Sequence, residues 1–317
     1  MIDWPQSLNL CRPLMHQPYV SLRQIDELVC LQIDHPKARA LVALQGAQLL
    51  EYTPAGAQPV IWLSEQAEFK RGQSIRGGIP ICWPWFGDAR KNPETVQAML
   101  PEGNLPAHGW VRSKPWLLDR ISSDDNGVHL KLCFPETQWP APFPQGVELS
   151  VEMSIGEELN IALLTENKSD QTLYISQALH SYFAVSDVIH ASINNLIHVP
   201  FIDTLNDWNE NIDDAPICIS GETDRIYKNT PEMICIVDSK WNREIQIYSK
   251  DSQSAVVWNP WIEKAKRLSQ FENSAYKQML CVETANLLNN CKELPPGSGG
   301  VLQTNIANHS TPPIANY

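Results

Sequence analysis

From Leu28 to Ile306 the chain repeats one pattern, short runs of alternating apolar and polar residues, each closed off by Gly, Pro, Asn or Asp. A period of two sends successive side chains to opposite faces, the signature of strands with one buried face. Twelve such runs read as strands: Leu28–Ile33, Arg39–Leu44, Val60–Leu63, Val128–Phe134, Val147–Ile155, Leu159–Asn167, Leu173–Phe183, Ile234–Asp238, Glu244–Ser249, Ala255–Trp258, Gln278–Glu283 and Gly300–Ile306. Helical candidates are few and short, at Ser21–Glu27, Asn92–Met99 and Glu263–Phe271, and they do not alternate with strands as a parallel α/β sheet requires. The segment Ser122-Ser-Asp-Asp-Asn-Gly127 predicts a hairpin, with Asn-Gly supplying positive φ angles. Pro135–Pro144 reads as an ordered connecting loop, and no repeat, low-complexity tract or composition break marks a boundary. The expectation is an all-β chain, a large antiparallel β-sandwich with few short helices, folded as one domain over residues 1–317.

Charge then restricts the partners. The 24 Lys and Arg face 36 Asp and Glu, a net charge of −12. Binding a polyanion needs clustered cations, so nucleic acid and anionic membrane are excluded as expected partners. The N-terminus lacks a basic segment followed by an apolar core, and no apolar run approaches the ~18 residues of a membrane span. Location in the cytoplasm is the resulting expectation. The eight cysteines are dispersed, with no CxxC pair and no zinc-type spacing, so they are expected to be reduced, most of them buried, with no metal bound.

Four segments carry candidate chemistry. In Ser74-Ile-Arg-Gly-Gly-Ile-Pro-Ile-Cys-Trp-Pro-Trp-Phe-Gly87, two glycines after an arginine allow close backbone approach to a ligand while prolines and aromatics hold Arg76 in place. An aromatic-rich core turn explains the same residues equally well. In Leu105-Pro-Ala-His-Gly-Trp-Val-Arg112, Arg112 is of a type that clamps anions with two parallel hydrogen bonds, although a lone surface arginine is the commoner case. Alternation across Leu173–Phe183 gathers Tyr174, Ser176, Ala178, His180 and Tyr182 on one small, polar face, as a pocket wall would have. A histidine there can exchange a proton near neutrality, or serve only packing. Glu283 ends the apolar run Met279-Leu-Cys-Val-Glu-Thr284, where a carboxylate must be paired, solvated or used as a base. A serine-hydrolase elbow, a zinc-protease helix, a dinucleotide fingerprint and tight histidine spacing are all absent. A cofactor-free acid/base enzyme or a sugar-binding module remains, the latter in keeping with 11 Trp.

In order along the chain, Ile75–Gly87, Leu105–Arg112, Ala178–Phe183, Glu222–Tyr227, Val257–Trp261 and Met279–Thr284 resemble the hexose-6-phosphate mutarotases, the glucose-6-phosphate 1-epimerases of the aldose-1-epimerase superfamily. The resemblance spans roughly residues 20–306. It implies a galactose-mutarotase-like β-supersandwich with His180 and Glu283 as the catalytic pair. It further implies Arg76, His108, Arg112 and Asp224 as substrate-binding residues, the arginines serving a phosphate. Some relatives carry Gln where this chain has Ala107, which leaves backbone contact as the expectation there.

The reaction so implied interconverts α and β anomers by opening and reclosing the sugar ring, with no cofactor. Glu283 would take the proton from O1 while His180 gives one to O5, which calls for an ionised glutamate beside a protonated histidine. The expected partner is a small-molecule hexose phosphate and the expected state a monomer. Mutarotation of free aldoses, or a non-catalytic sugar-phosphate binder, are the alternatives. Trp83, Trp85, Trp258 and Trp261 are divided between pocket wall and core, and Lys264 and Lys266 are open as further phosphate ligands. Residues 61–120 carry eight Lys or Arg against six acids, so an acidic chain contains one locally basic stretch that holds both proposed phosphate arginines.

Overall fold

The computed structural model describes residues 17–141 and 143–311; Cys11 and the N-terminal segment discussed above lie outside them. Two large antiparallel sheets dominate. The nine-stranded sheet runs, in spatial order, Ile217–Cys218, Ala191–Asn194, Met233–Asp238, Arg243–Lys250, Gly299–Ser310, Leu159–Asn167, Val147–Gly156, Gly127–Cys133 and Leu117–Asp124. The eight-stranded sheet runs Asn209–Asn211, Phe201–Asp203, Thr223–Lys228, Ser254–Asn259, Met279–Asn286, Gln177–Leu179 and Ile81–Cys82, with Tyr182–Ala184 also pairing with Met279–Asn286. A meander of Val20–Ile25, Leu28–His35, Ala38–Ala43 and Gln48–Pro54 joins this second sheet through single bridges such as Tyr52 with Ile61 and Ile61 with Phe183. Among the described residues helix is limited to Glu94–Gln97 and Trp261–Ala265 apart from single 3-10 turns, and none of it is long and apolar enough to cross a membrane.

The two large sheets pack face to face. Ile247, Leu302 and Ile306 of one meet Leu280 and Val282 of the other in the main core. Two pairs of polar side chains meet between the layers: Trp83 Nε1 donates to Thr165 Oγ1 at 3.2 Å, and the Ser249 and Thr284 hydroxyls lie 2.8 Å apart, whereas the buried Thr304 hydroxyl has no partner among the described residues. Such pairing is stabilising, because an unpaired polar group in this layer costs about 1–3 kcal/mol. Arg243, buried at the sheet margin, donates to the carbonyls of Ala184, Pro59 and Gln58 and so ties the strand Tyr182–Ala184 to the loop beneath it.

Most of the runs expected as strands form within a few residues of their expected bounds, but Leu117–Asp124, Ala191–Asn194, Phe201–Asp203 and several two- and three-residue strands were not expected, and some expected runs differ for physical reasons. Ser21–Glu27, expected as a helix, is the strand Val20–Ile25, because pairing with Leu28–His35 overrides its local propensity. Val60–Leu63 forms only isolated bridges. Leu173–Phe183 is three short strands, interrupted at Ser176 and again at His180–Ser181. The expected helices shrink or shift, Asn92–Met99 to Glu94–Gln97 and Glu263–Phe271 to Trp261–Ala265. The hairpin forms between Asp124 and Gly127, but positive φ falls on Gly127 alone, and the Asp124 carboxylate accepts from the N–H groups of Asn126 and Gly127. Among the described cysteines all seven are free, and Cys218 is exposed rather than buried.

Candidate active site

The strand Met279–Asn286 is central in its sheet and buried on both faces, so alternation here separates two apolar environments rather than core from solvent. Leu280 and Val282 point into the main core. Met279, Cys281 and Ala285 point the other way, into a second apolar cluster with Tyr182, Val256, Trp258 and Phe271. Glu283 lies on this second side, only 1 % exposed, and reaches the floor of a cavity of about 350 Å³. A carboxylate at such a place is costly unless something compensates it.

His180 provides the opposing group. The break between the strands Gln177–Leu179 and Tyr182–Ala184 lets its backbone N–H donate to the Pro80 carbonyl at 3.0 Å, and turns its ring onto the cavity floor. That ring stacks on Tyr182, with centroids 4.8 Å apart and planes 6° from parallel, and meets the edge of Trp258 at 6.3 Å. Its Nδ1 lies 3.4 Å from Glu283 Oε1. Nδ1 and Glu283 Oε2 are both buried without a hydrogen-bond partner among the described residues, which is unusual for native polar atoms.

Burial governs the charge of the pair. It raises the Glu283 carboxyl well above its ordinary range, with nearby Asp224 adding to the effect. It also lowers His180 well below its ordinary value, reinforced by the charges of Arg112 and Arg76. The unliganded pair is therefore neutral, with one proton held on the carboxyl side. This corrects the expectation of a resting carboxylate beside a resting imidazolium. The two descriptions differ only in where one proton sits, because a neutral acid beside a neutral imidazole carries the same proton count as the ion pair.

The other candidates surround this floor. Arg76 lines the cavity, its Nη1 donating to the Tyr182 hydroxyl at 3.4 Å. It is placed by Gly78, which has φ 69° and approaches Leu49 so closely that a Cβ would overlap the Leu49 carbonyl. His108 lines the wall: its Nδ1 accepts from the Gly87 N–H at 3.3 Å and faces Cys82 Sγ at 3.3 Å, which leaves Nε2 to carry the proton. Burial, then the charge of Arg112 and, after it, of Arg76, keeps that ring neutral. The next residue fixes the segment, since Gly109, at φ 79°, lies against the Trp83 carbonyl with no room for a Cβ. Asp224 lines the far wall, its carboxyl raised by burial against the opposing pull of Lys264. Lys264 bridges Glu222 Oε1 at 3.1 Å and Asp224 Oδ2 at 3.9 Å.

Arg112 is not brought onto the lining. Its Nη2 donates to the Ala107 carbonyl at 2.8 Å, so the backbone at position 107 holds the guanidinium. From there its charge still acts on His108 and His180. Of the two lysines left open by the sequence, Lys264 lines the cavity, whereas Lys266 pairs with Glu263 away from it. Trp258 forms wall, Trp83 and Trp85 are fully buried core, and Trp261 packs on Tyr276. Phe86, Lys91 and Trp208 line the mouth without having been singled out; Lys91 lies over the Trp208 ring at 5.5 Å. Lys91 falls inside the basic stretch, so charge alone offered a signal for it, while Trp208 sits in a polar loop that offered none.

A buried histidine and glutamate facing each other under a polar, aromatic-walled cavity, on a β-sandwich, is an arrangement for moving protons on a small polar molecule. Residues 29–306 match the family described as aldose 1-epimerase. The chain belongs to that family. It is 36 % identical over 277 residues to an Escherichia coli (strain K12) protein described as "Putative glucose-6-phosphate 1-epimerase", covering 86 % of this chain and 89 % of that one. The crystal structure of "a putative mutarotase (YeaD)" from Salmonella typhimurium superposes with a TM-score of 0.83 at 31 % identity, covering 96 % of this chain and 99 % of that one. A galactose mutarotase-like protein from Clostridium acetobutylicum, at 14 % identity and a TM-score of 0.68 over 92 % of this chain and 99 % of that one, shares the fold. The chain is thus an isomerase-type enzyme of the aldose 1-epimerase family with a galactose-mutarotase-like β-sandwich.

Proposed function

We propose that the substrates are hexose 6-phosphates, glucose 6-phosphate foremost, and that His180 and Glu283 are the catalytic pair. The observation that carries this reading is the cavity itself. In a chain of net charge −12, its floor is the His180–Glu283 pair and its walls bring in Arg76, Lys91 and Lys264, alongside the acids Asp88 and Asp224, with Asp224 facing Lys264.

Ring opening needs a base at O1 and an acid at O5 together, and each such group contributes roughly 10²- to 10⁴-fold. Glu283 and His180 supply both once the shared proton crosses from carboxyl to imidazole. The substrate favours that crossing. A phosphate near Arg76 offsets part of the positive charge that holds His180 neutral, and the O1 hydroxyl gives the orphaned carboxylate oxygen a donor. Glu283 then accepts the O1 proton, His180 donates to O5, and the ring opens to the aldehyde. Rotation about C1–C2 and reversal of the two transfers close the other anomer, with both side chains back in their starting states. His108, a neutral donor through Nε2–H, and Asp224, an acceptor, both line the cavity and on this reading hold sugar hydroxyls.

The test compares Arg76→Ala with the parent on glucose 6-phosphate and on free glucose, reading anomer exchange by magnetisation-transfer NMR. KM for the phosphorylated sugar should rise at least tenfold while exchange of the free sugar changes little. Equal losses on both sugars would refute phosphate recognition and leave a mutarotase of free aldoses.

A further inference from the structure

Beneath the catalytic pair lies a group that the proton transfers do not use. Cys281 is two residues before Glu283 on the same strand, so both side chains leave the same face of the sheet. Tyr182 is its partner across the ladder, which brings the neighbouring His180 over it. Ligand atoms of His180, Cys281 and Glu283, one from each, all lie within 4.8 Å of one another, and all three residues are buried. Two of the polar atoms at this point, His180 Nδ1 and Glu283 Oε2, lack a hydrogen-bond partner among the described residues. No sequence spacing marks the cluster, because His180 comes from a separate segment about a hundred residues away, at a break between strands.

One imidazole nitrogen, one thiolate and one carboxylate oxygen form a donor set suited to a borderline-soft divalent ion. Three protein ligands with a fourth position open toward a cavity is also the common form of an accessible zinc site. Hard ions such as Mg²⁺ prefer all-oxygen shells and gain little from the sulfur or nitrogen. Coordination distances of ~2.0–2.3 Å require the three donors to draw in by small side-chain rotations, to within roughly 4 Å of one another.

We infer that His180, Cys281 and Glu283 form a latent site for a thiophilic divalent cation such as Zn²⁺, and that its occupancy switches the enzyme off. The metal takes the lone pairs that proton transfer needs, so a molecule cannot hold the ion and catalyse at once. Starting from a neutral acid, a neutral imidazole and a thiol, binding releases the carboxyl and thiol protons to solvent and leaves the nitrogen lone pair on the metal. The site rests on the assigned catalytic pair, but the choice of sugar does not enter into it.

Co²⁺ reports the site directly, because a cobalt–thiolate bond absorbs in the near ultraviolet whether or not any sugar is turned over. The full-length protein should bind one Co²⁺ with that absorption, and one equivalent of Zn²⁺ should displace it and abolish anomer exchange. Mg²⁺ at the same concentration should do neither. Cys281→Ser should lose the thiolate band and raise the inhibitory Zn²⁺ concentration at least tenfold, with metal-free exchange within about twofold of the parent. His180→Asn should also lose the band. A Cys281→Ser variant inhibited by Zn²⁺ as strongly as the parent, or a parent without the thiolate band, would overturn the site. Competition separates this idea from the substrate assignment: if free aldoses displace Co²⁺ and glucose 6-phosphate does not, the phosphate reading fails and the metal site stands.

Discussion

Replacing Glu283 by glutamine tests the proposed chemistry with the smallest change of shape. The two side chains are nearly isosteric, and at 1 % exposure the cavity floor keeps its volume. What disappears is the ability to take a proton from O1. Loss of one general base is worth about 10²- to 10⁴-fold, or about 3–5 kcal/mol of barrier at 1.36 kcal/mol per decade. Since the sugar also mutarotates in water, the assay is two-dimensional exchange NMR of the α and β anomeric protons, with the enzyme-free rate subtracted. Stability should move in the opposite direction. Burial raises the folded-state pKa of Glu283 above its unfolded value of about 4.3, so its contribution is fully present below that value and is lost as pH rises through the folded pKa. Glutamine has no such loss. Thermal midpoints of Glu283→Gln and parent should therefore match near pH 4 and separate above it, with the variant the more stable. Exchange within threefold of the parent would refute the base assignment, and a variant that is less stable at pH 8 would refute the claim that this carboxyl resists ionisation.

Two further substitutions test the scaffold. Gly109→Ala puts a methyl group on the Trp83 carbonyl at a positive φ, and should cost about 3 kcal/mol or more, read as the urea midpoint; a shift below about 0.5 kcal/mol would contradict the close approach. Arg243→Met removes three hydrogen bonds to the carbonyls of Ala184, Pro59 and Gln58 and leaves buried Asp238 without its nearby guanidinium, so it should cost about 3 kcal/mol in the same measurement.

Strand alternation was legible in Val147–Gly156 and Leu159–Asn167, which bury one face and leave the other partly open to water. Leu117–Asp124 and Ala191–Asn194 are buried on one side in the same way but were not read as strands, and other strands are set by their partners. Gln48–Pro54 and Thr223–Lys228 are strands by virtue of their partners, Ala38–Ala43 and Ser254–Asn259, and their own sequences do not announce them. His180 and Glu283 stood out as polar groups inside apolar runs, and the physical reason is now visible, since both open onto a cavity behind a doubly covered sheet. Their protonation was not legible. Mutual attraction suggested an ion pair, but the deciding quantity is desolvation, which a sequence shows only once the fold has placed apolar matter on both sides. Arg112 illustrates the converse: its type suited a phosphate clamp, but a backbone carbonyl five residues earlier holds its guanidinium off the cavity lining.

The distribution of charge follows from the same geometry. Of the three cations on the cavity lining, Arg76 and Lys91 come from the basic stretch at residues 61–120, and Lys264 from the short helix that follows the strand Ser254–Asn259. Pairing of Trp258 with Asp224 across the ladder brings that lysine over the cavity, so its position is a product of topology rather than of local composition. Screening then decides how the acidic body and the cations of the cavity wall share control of an incoming anion. At physiological ionic strength the Debye length is about 8 Å, so most of the net −12 acts weakly at the cavity mouth, while cations on its wall act at contact distance. Lowering the salt lengthens the reach of the acidic body and opposes the approach of a dianion. A hexose phosphate should therefore gain less in association rate from dilution of salt than the three lining cations alone would give it.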